Sequence, residues 1–430
     1  MKNNFEKITD KIKIALFLGV VAIFFVIGLL FFLRPTVSDA EKRELTKFPE
    51  FTVESFASGE WTSQVGLWFA DTYPMRETMI SLNKSLESFY GIMTEQVHIG
   101  GVADDIPDGN EEIIFKPIDD GKGELSDGLY VNGDTAYELY YFSQQSSDNY
   151  VYLINEFAKQ IGDKANIYNM LVPKHYQISF STEVMKKTGA SDCNEAIEYM
   201  YKGLSDNVTP IRIIPELIKH NDEYLYFRTD HHWTARGAYY AYVAFCKQTG
   251  KTPTPLSAYT ETGHVEGFLG SLYTSDKNKN PAAMEQNPDY IESFVPNDTN
   301  RLDVYNADGT YYDWFAIVNT NAKRYDTCFI SGDRPLIKIH NENKSDGSSI
   351  VVVKESFGNA FVPFLVDSYE YIYVIDYRHW SNNNNILSEF VIENNIDDVL
   401  FLNVLGNSTA WKNFEPFIKI IDPELLKQFE

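Results

Sequence analysis

Cysteine is scarce. Cys193, Cys246 and Cys328 are odd in number and far apart, which excludes a disulfide framework. Cys246, in the helical stretch AYVAFCKQ, and Cys328, in an expected strand, read as small core residues. The fold must then rest on a hydrophobic interior, and 430 residues with 44% hydrophobic side chains suffice to bury one. Positive charge is also short, with 37 Lys and Arg against 61 Asp and Glu, a net charge of −24. A surface this acidic is not built to track nucleic acid and is repelled by anionic lipid head groups. No fixed-period repeat is visible, which excludes solenoids and propellers. There is no HExxH, no His-x-His and no Asp-x-Asp at a strand end, and His98, His175, His220, His264, His340 and His379 are scattered. A metal-dependent phosphoesterase is therefore disfavoured, and neither metal nor cofactor is expected.

One long hydrophobic run is present. Ile14 to Leu33 contains no charge (IALFLGVVAIFFVIGLLFFL), and about 20 helical residues span ~30 Å, the hydrocarbon thickness of a bilayer. Lys2, Lys7, Lys11 and Lys13 precede it, which places residues 1–13 in the cytoplasm and the remainder outside. Against Glu6 and Asp10 these lysines leave residues 1–33 at +2, so the rest of the chain carries −26 of the total −24. Ser38-Asp39-Ala40 offers a signal-peptide cleavage site, but the apolar run exceeds the roughly 7–15 residues of a normal signal core, which favours an uncleaved single-pass anchor at the cell membrane.

Beyond the anchor, residues 34–95 read as a membrane-proximal linker and helix, with Trp61, Val65, Trp68, Phe69, Met79, Leu82 and Leu86 at three-to-four spacing. Residues 100–135 are acidic and Gly/Asp-rich, hence loops or hairpins, and 276–300 read as a polar surface insertion. Across the domain 96–430, short apolar runs predict strands at 166–173, 223–228, 349–355, 371–376 and 398–404. Helical stretches such as 150–162 and 234–248 separate most of them. Near-continuous apolar strands alternating with helices predict an α/β fold whose parallel sheet is covered on both faces. Ligands of such sheets bind beyond the carboxyl ends of the strands.

Two motifs are expected at such ends. Arg228-Thr229-Asp230-His231-His232-Trp233 follows EYLYF, and Lys354-Glu355-Ser356-Phe357-Gly358-Asn359 follows SIVVV. In an extended segment residues two apart, about 6.6 Å between Cα atoms, point the same way. Asp230 and His232 then share a side and His231 faces the other. A carboxylate so placed accepts Nδ1–H from the imidazole and leaves Nε2 to take a hydroxyl proton. Ser356, on a turn before a helix, stands where an activated nucleophile would. Main-chain N–H groups from Phe357 onward would stabilise an oxyanion, Gly358 would let the backbone approach substrate, and Asn359 would donate a further hydrogen bond. His175, in the loop after Pro173, and Trp233 are further candidates for lining the cleft. Taken singly these signals are weak: an Asp-x-His is usually structural, and a serine after a strand is more often a helix cap.

RTDHHWTARGAYYAY together with GDRPLIKIH and SSIVVVKESFGNAFVPFLVDSYEYIYVIDYRHW resembles the DHHW family of bacterial exported proteins, itself similar to the SGNH-like (GDSL-type) domains of alginate O-acetylation proteins. SDAEKRELTKFPEFT and WFADTYPMR resemble the family's membrane-proximal pattern. The resemblance implies an SGNH-like three-layer α/β/α domain with Ser356 as nucleophile, His232 as base and Asp230 as its orienting partner. Arg378, in an Asp-x-Arg segment, becomes a candidate site residue with no assigned role. Lys354-Glu355 stands where an Asp before the serine is common. The implied activity is O-acetyl transfer to, or removal from, a cell-surface glycan, beside a membrane-bound O-acyltransferase as partner. A non-catalytic glycan-binding component is the alternative. Transferase and esterase differ only in the nucleophile admitted.

Overall fold

The computed structural model describes residues 115–126, 128–275, 277–278, 280–406 and 411–429, together with parts of 34–74. The expected anchor, residues 14–33, and the second half of the expected membrane-proximal helix lie outside the described residues. No described helix is long and apolar enough to cross a membrane. The chain divides into two units, 1–94 and 95–430. In the first, a helix runs over Glu60–Asp71, and the Arg34 guanidinium lies 4.1 Å from the Trp68 ring centre and bonds the Phe69 carbonyl.

The second unit is built on an eight-stranded sheet. Its strands in chain order are β1 (Asn166–Val172), β2 (Val208–Pro210), β3 (Arg301–Tyr305), β4 (Tyr311–Ala316), β5 (Leu336–His340), β6 (Ser349–Lys354), β7 (Tyr371–Asp376) and β8 (Asp398–Val404). In space they run β4-β3-β5-β7-β6-β8-β1-β2. The five strands from β7 to β2 are parallel. Strands β3, β4 and β5 are joined antiparallel. The sheet is therefore mixed, a correction to the all-parallel expectation. The central parallel strands β6 and β8 are buried at every position, as a parallel sheet covered on both faces requires.

Four of the five expected strands occupy their expected places. The exception is 223–228. Only Tyr226 pairs, antiparallel with Trp233, because this segment's backbone bonds are taken away from the sheet: Thr234 N–H donates to Leu225 O, Phe227 N–H to His232 O and Ala136 N–H to Arg228 O. The segment is a tight loop outside the sheet.

Helices α1 (Gln144–Ile161), α2 (Ala235–Thr249), α3 (Gly358–Leu365) and α4 (Trp411–Ile421) pack on the sheet through one continuous apolar core. A small three-stranded sheet, Glu124–Ser126, Leu129–Asn132 and Thr135–Glu138, occupies the end of the expected hairpin region. Residues 276–300 hold a short helix, Pro281–Gln286, and a strand, Asp289–Phe294. Met284 and Asp289 are fully buried, so this stretch contributes to the interior as well as to the surface.

Candidate active site

Register sets one rim of the sheet. Lys354 pairs with Asp376 at the ends of β6 and β7, so Ser356 and Arg378, each two residues further on, emerge side by side. Strand β5 runs the opposite way, and its first residue Leu336 pairs with Ile375 near the end of β7. Asp333, just before β5, is thereby delivered to the same rim.

The Asp-His-His-Trp loop reaches this rim from outside the sheet. Asp289 pins its start: its carboxylate accepts from the Thr229 N–H (2.8 Å), the Thr229 hydroxyl (2.6 Å), Arg228 Nε (3.1 Å) and the Tyr224 hydroxyl. Arg228 O also accepts from Ala136 N–H of the small sheet. At the other end Thr234 caps α2 through its side chain. Gly270 lies so close to Asp230 that a Cβ there would collide with the carboxylate. The next residue, Ser271, donates its N–H to Asp230 Oδ2 at 2.8 Å.

Asp230 Oδ1 takes the Nδ1–H of His232 at 2.6 Å and its main-chain N–H at 2.9 Å. Burial alone would raise the Asp230 pKa, but the two imidazoles and these hydrogen bonds hold it below the ordinary carboxylate range. An ionised carboxylate only accepts, so Nδ1 carries the proton, and Nε2 is the ring nitrogen left to exchange one. That Nε2 is buried with no hydrogen-bond partner. His231 does not face away: its ring centre lies 3.9 Å from that of His232, and Nδ1 meets Ser271 Oγ at 2.6 Å. The cause is a bend at Asp230, where an extended strand was expected. Burial and the neighbouring His232 push the His231 pKa down to about 4. Among the described residues Asp230, His231 and His232 form the group able to offer three metal-ligand atoms within 4.8 Å. Of their possible ligand atoms, the Asp230 oxygens and both histidine Nδ1 atoms are engaged in the hydrogen bonds just given.

The two motifs meet directly. Trp233 is fully buried and its indole N–H donates to Phe357 O at 2.8 Å. The His232 ring lies against Phe357 (4.8 Å between centres) and stacks on Tyr325 (4.2 Å, 15°), whose hydroxyl donates to Ser356 O at 3.2 Å.

The serine hydroxyl itself does not bond to His232. It donates to Asp333 Oδ2 at 2.6 Å, with Arg378 Nη2 at 3.3 Å from Oγ. Asp333 also accepts from Lys354 Nζ (2.9 Å), Asn359 Nδ2 (3.0 Å) and Arg378 Nη2 (2.8 Å). Asn359 is thus turned to Asp333. Gly358 faces Lys354, whose Cβ would lie 2.7 Å from an added Cβ, so its smallness serves packing on the lysine. Its N–H bonds to Glu355 O, and that of Asn359 to Ser356 O. Glu355 is buried and reaches β8, accepting from Asn403 Nδ2 (2.7 Å) and from Val404 N–H, and burial pushes its pKa up. Arg378 is clamped on Asp376 through Nε at 2.9 Å. His175 is held between Tyr226 and Tyr137, with ring centres at 5.0 and 4.6 Å, and no bond ties it to the site. Its neighbour Lys174 pairs with Glu138 at 2.6 Å.

Sequence reasoning missed Asp333, Asp289, Gly270 and Ser271. Asp333 had a faint signal in the Gly-Asp before a strand. The others announce nothing locally.

An α/β domain with a fixed Asp-His pair beside a serine on a strand-turn-helix is the class that fold and site define. The chain belongs to the DHHW family, whose model, described as DHHW protein, matches residues 41–120 and 117–375. A DHHW family protein from Eubacterium siraeum is 30% identical with a TM-score of 0.61, over 70% of this chain and 98% of that one. Bacillus cereus PatB1, solved with a sulfonyl adduct, is 18% identical with a TM-score of 0.54, over 68% and 98% of the two chains. The O-acetyltransferase domain of Pseudomonas putida AlgJ is 13% identical with a TM-score of 0.42, over 70% and 98%. No curated protein matches the chain.

Proposed function

We propose that the protein is an extracytoplasmic serine-type O-acyl transferase or esterase that handles acetyl groups on a cell-surface glycan. The observation that carries the reading is the His232 imidazole, fixed by Asp230 and presenting an unpartnered Nε2 beside the Ser356 turn. Ser356 Oγ attacks the acyl carbonyl, its proton passes to Nε2, and the C–O bond to the leaving alcohol breaks as His232 protonates that oxygen. A sugar hydroxyl or water then attacks the acyl-serine, gives its proton to His232, and Ser356 leaves with that proton restored. Arg378, fully charged and 3.3 Å from Oγ, is assigned to the negative charge of the tetrahedral stage. Residues 14–33 hold the protein at the membrane, where a polytopic O-acyltransferase would supply the acyl group.

Treating the purified protein with phenylmethylsulfonyl fluoride and p-nitrophenyl acetate tests this. PatB1, similar in fold, is the precedent for a sulfonyl adduct. Labelling and turnover are expected in the wild type and absent in Ser356→Ala; activity surviving that change would refute the serine mechanism. The Ser356–Asp333 bond favours a second reading, a non-catalytic glycan-binding component. Glycan affinity undiminished in Ser356→Ala and His232→Ala, with no turnover by the wild type, would select it.

A further inference from the structure

A serine hydroxyl has one proton to donate, and here it goes to Asp333 and not to His232. The imidazole that should receive it is left with a buried Nε2 and no partner. We propose that Asp333 is a positioning residue that latches the Ser356 hydroxyl away from His232, so that the nucleophile is armed only when Oγ turns off this carboxylate. The proposal rests on the reading of Ser356 as nucleophile and adds a resting state to it.

Three features make Asp333 a latch and not a second base. First, it is fixed. Lys354 Nζ and Asn359 Nδ2 hold Oδ1, and Arg378 Nη2 holds Oδ2, the oxygen that takes the serine proton. Lys354 is fully buried at the end of β6, and a carboxylate that drifted from the rim would leave this cation and Arg378 with Asp376 as their shared acidic partner. Second, it is a poor base. Burial alone would raise its pKa, but the charges of Lys354 and Arg378 hold it well below the usual range. A carboxylate so held accepts the hydrogen bond and is a weaker base than an ordinary one. Third, the contact is incompatible with the acyl-serine. Once Oγ is esterified it has no hydrogen, and two oxygens would face each other at the present 2.6 Å. The acylated side chain must turn away, and rotation off Asp333 is a step common to arming and to acylation.

The test measures the rate constant for Ser356 sulfonylation by phenylmethylsulfonyl fluoride in the wild type, Ser356→Ala and Asp333→Asn. Replacing the charged acceptor by a neutral amide weakens the bond that holds the resting state and should accelerate labelling of Asp333→Asn roughly tenfold, across the pH range in which the wild type reacts. Damage to the site would slow it, so acceleration separates a latch from a merely structural carboxylate. Should Asp333→Asn fail to fold, wild-type crystal structures decide: Oγ is expected on Asp333 in the free protein and off it, turned towards His232 Nε2, in the sulfonyl adduct. Labelling of Asp333→Asn no faster than the wild type, or a free-state Oγ already on Nε2, overturns the latch while leaving the nucleophile reading intact. Wild-type labelling that survives Ser356→Ala, or that never occurs, defeats the nucleophile reading first and the latch with it.

Discussion

The Trp233 indole and the Phe357 carbonyl, 124 positions apart in the chain, form a buried 2.8 Å hydrogen bond that joins the histidine loop to the serine turn. The loop belongs to no strand of the sheet, so its position relative to Ser356 depends on this bond and on the rings of Phe357 and Tyr325 around His232. Trp233→Phe keeps an aromatic side chain but removes the donor and some volume. It should cost roughly 2–4 kcal/mol in urea unfolding. Sulfonyl labelling of Ser356 should fall further than the unfolded fraction explains. Unchanged labelling in a destabilised protein would mean that the two motifs are registered by other contacts.

Asp289 anchors the other end of the loop from a stretch that reads in the sequence as a surface insertion. Its carboxylate is fully buried against Arg228, Thr229 and Tyr224. Asp289→Asn places an amide among these donors and leaves Arg228 with Asp134 alone as an acidic partner. The expected destabilisation is about 3 kcal/mol, the scale for breaking a buried charged network, seen as a lower denaturant midpoint. A shift within error would show that the loop carries its own conformation.

Asp230→Asn tests the tautomer. An amide turned to keep the Ser271 N–H bond would present its NH₂ towards His232, which favours the ring with its proton on Nε2 and no lone pair for Ser356. Turnover of p-nitrophenyl acetate should fall by about 10³-fold or more, the scale for losing a triad carboxylate, with the melting temperature little changed. A fall of only a few-fold would remove Asp230 from the orienting role.

The strands at β1, β6, β7 and β8 are legible because burial on both faces writes a run of β-branched and aromatic residues into each. Ser356 is legible because a strand of that kind ends two residues before it. The loop from Tyr226 to Trp233 is not, since its apolar residues satisfy strand patterning while its backbone bonds go to its own turn, to Ala136, to Leu272 and Tyr273 and to the Asp289 carboxylate, and not to the large sheet. Asp333 escapes because the sequence logic inspects the carboxyl ends of parallel strands, and this residue arrives at the amino end of an antiparallel one. Gly270, Ser271 and Asp289 act through long-range contacts that no local pattern encodes.

His175 supplies a pH dependence that is separable from the site. Its ring lies between Tyr226 and Tyr137, and burial pushes its pKa from 6.5 down to about 3. As pH falls below 6.5 the unfolded chain takes up a proton that the folded chain refuses, so stability drops progressively towards pH 3. His231, pushed down to about 4, acts in the same direction. Glu355, whose pKa is raised, acts in the opposite one, since its unfolded carboxyl ionises more readily than the buried one. Asp230 and Asp333 have depressed values and lose their contribution only as pH falls below the ordinary 3.8. Comparing wild type with a His175 variant between pH 7 and 5 isolates this histidine, because the other titrating groups are common to both proteins. His175→Phe keeps the aromatic stack and removes the titration. Its stability should fall less than that of the wild type between pH 7 and 5, by of the order of 1–2 kcal/mol, in denaturant titrations at the two pH values. Parallel curves for variant and wild type would show that His175 is not held neutral by its surroundings.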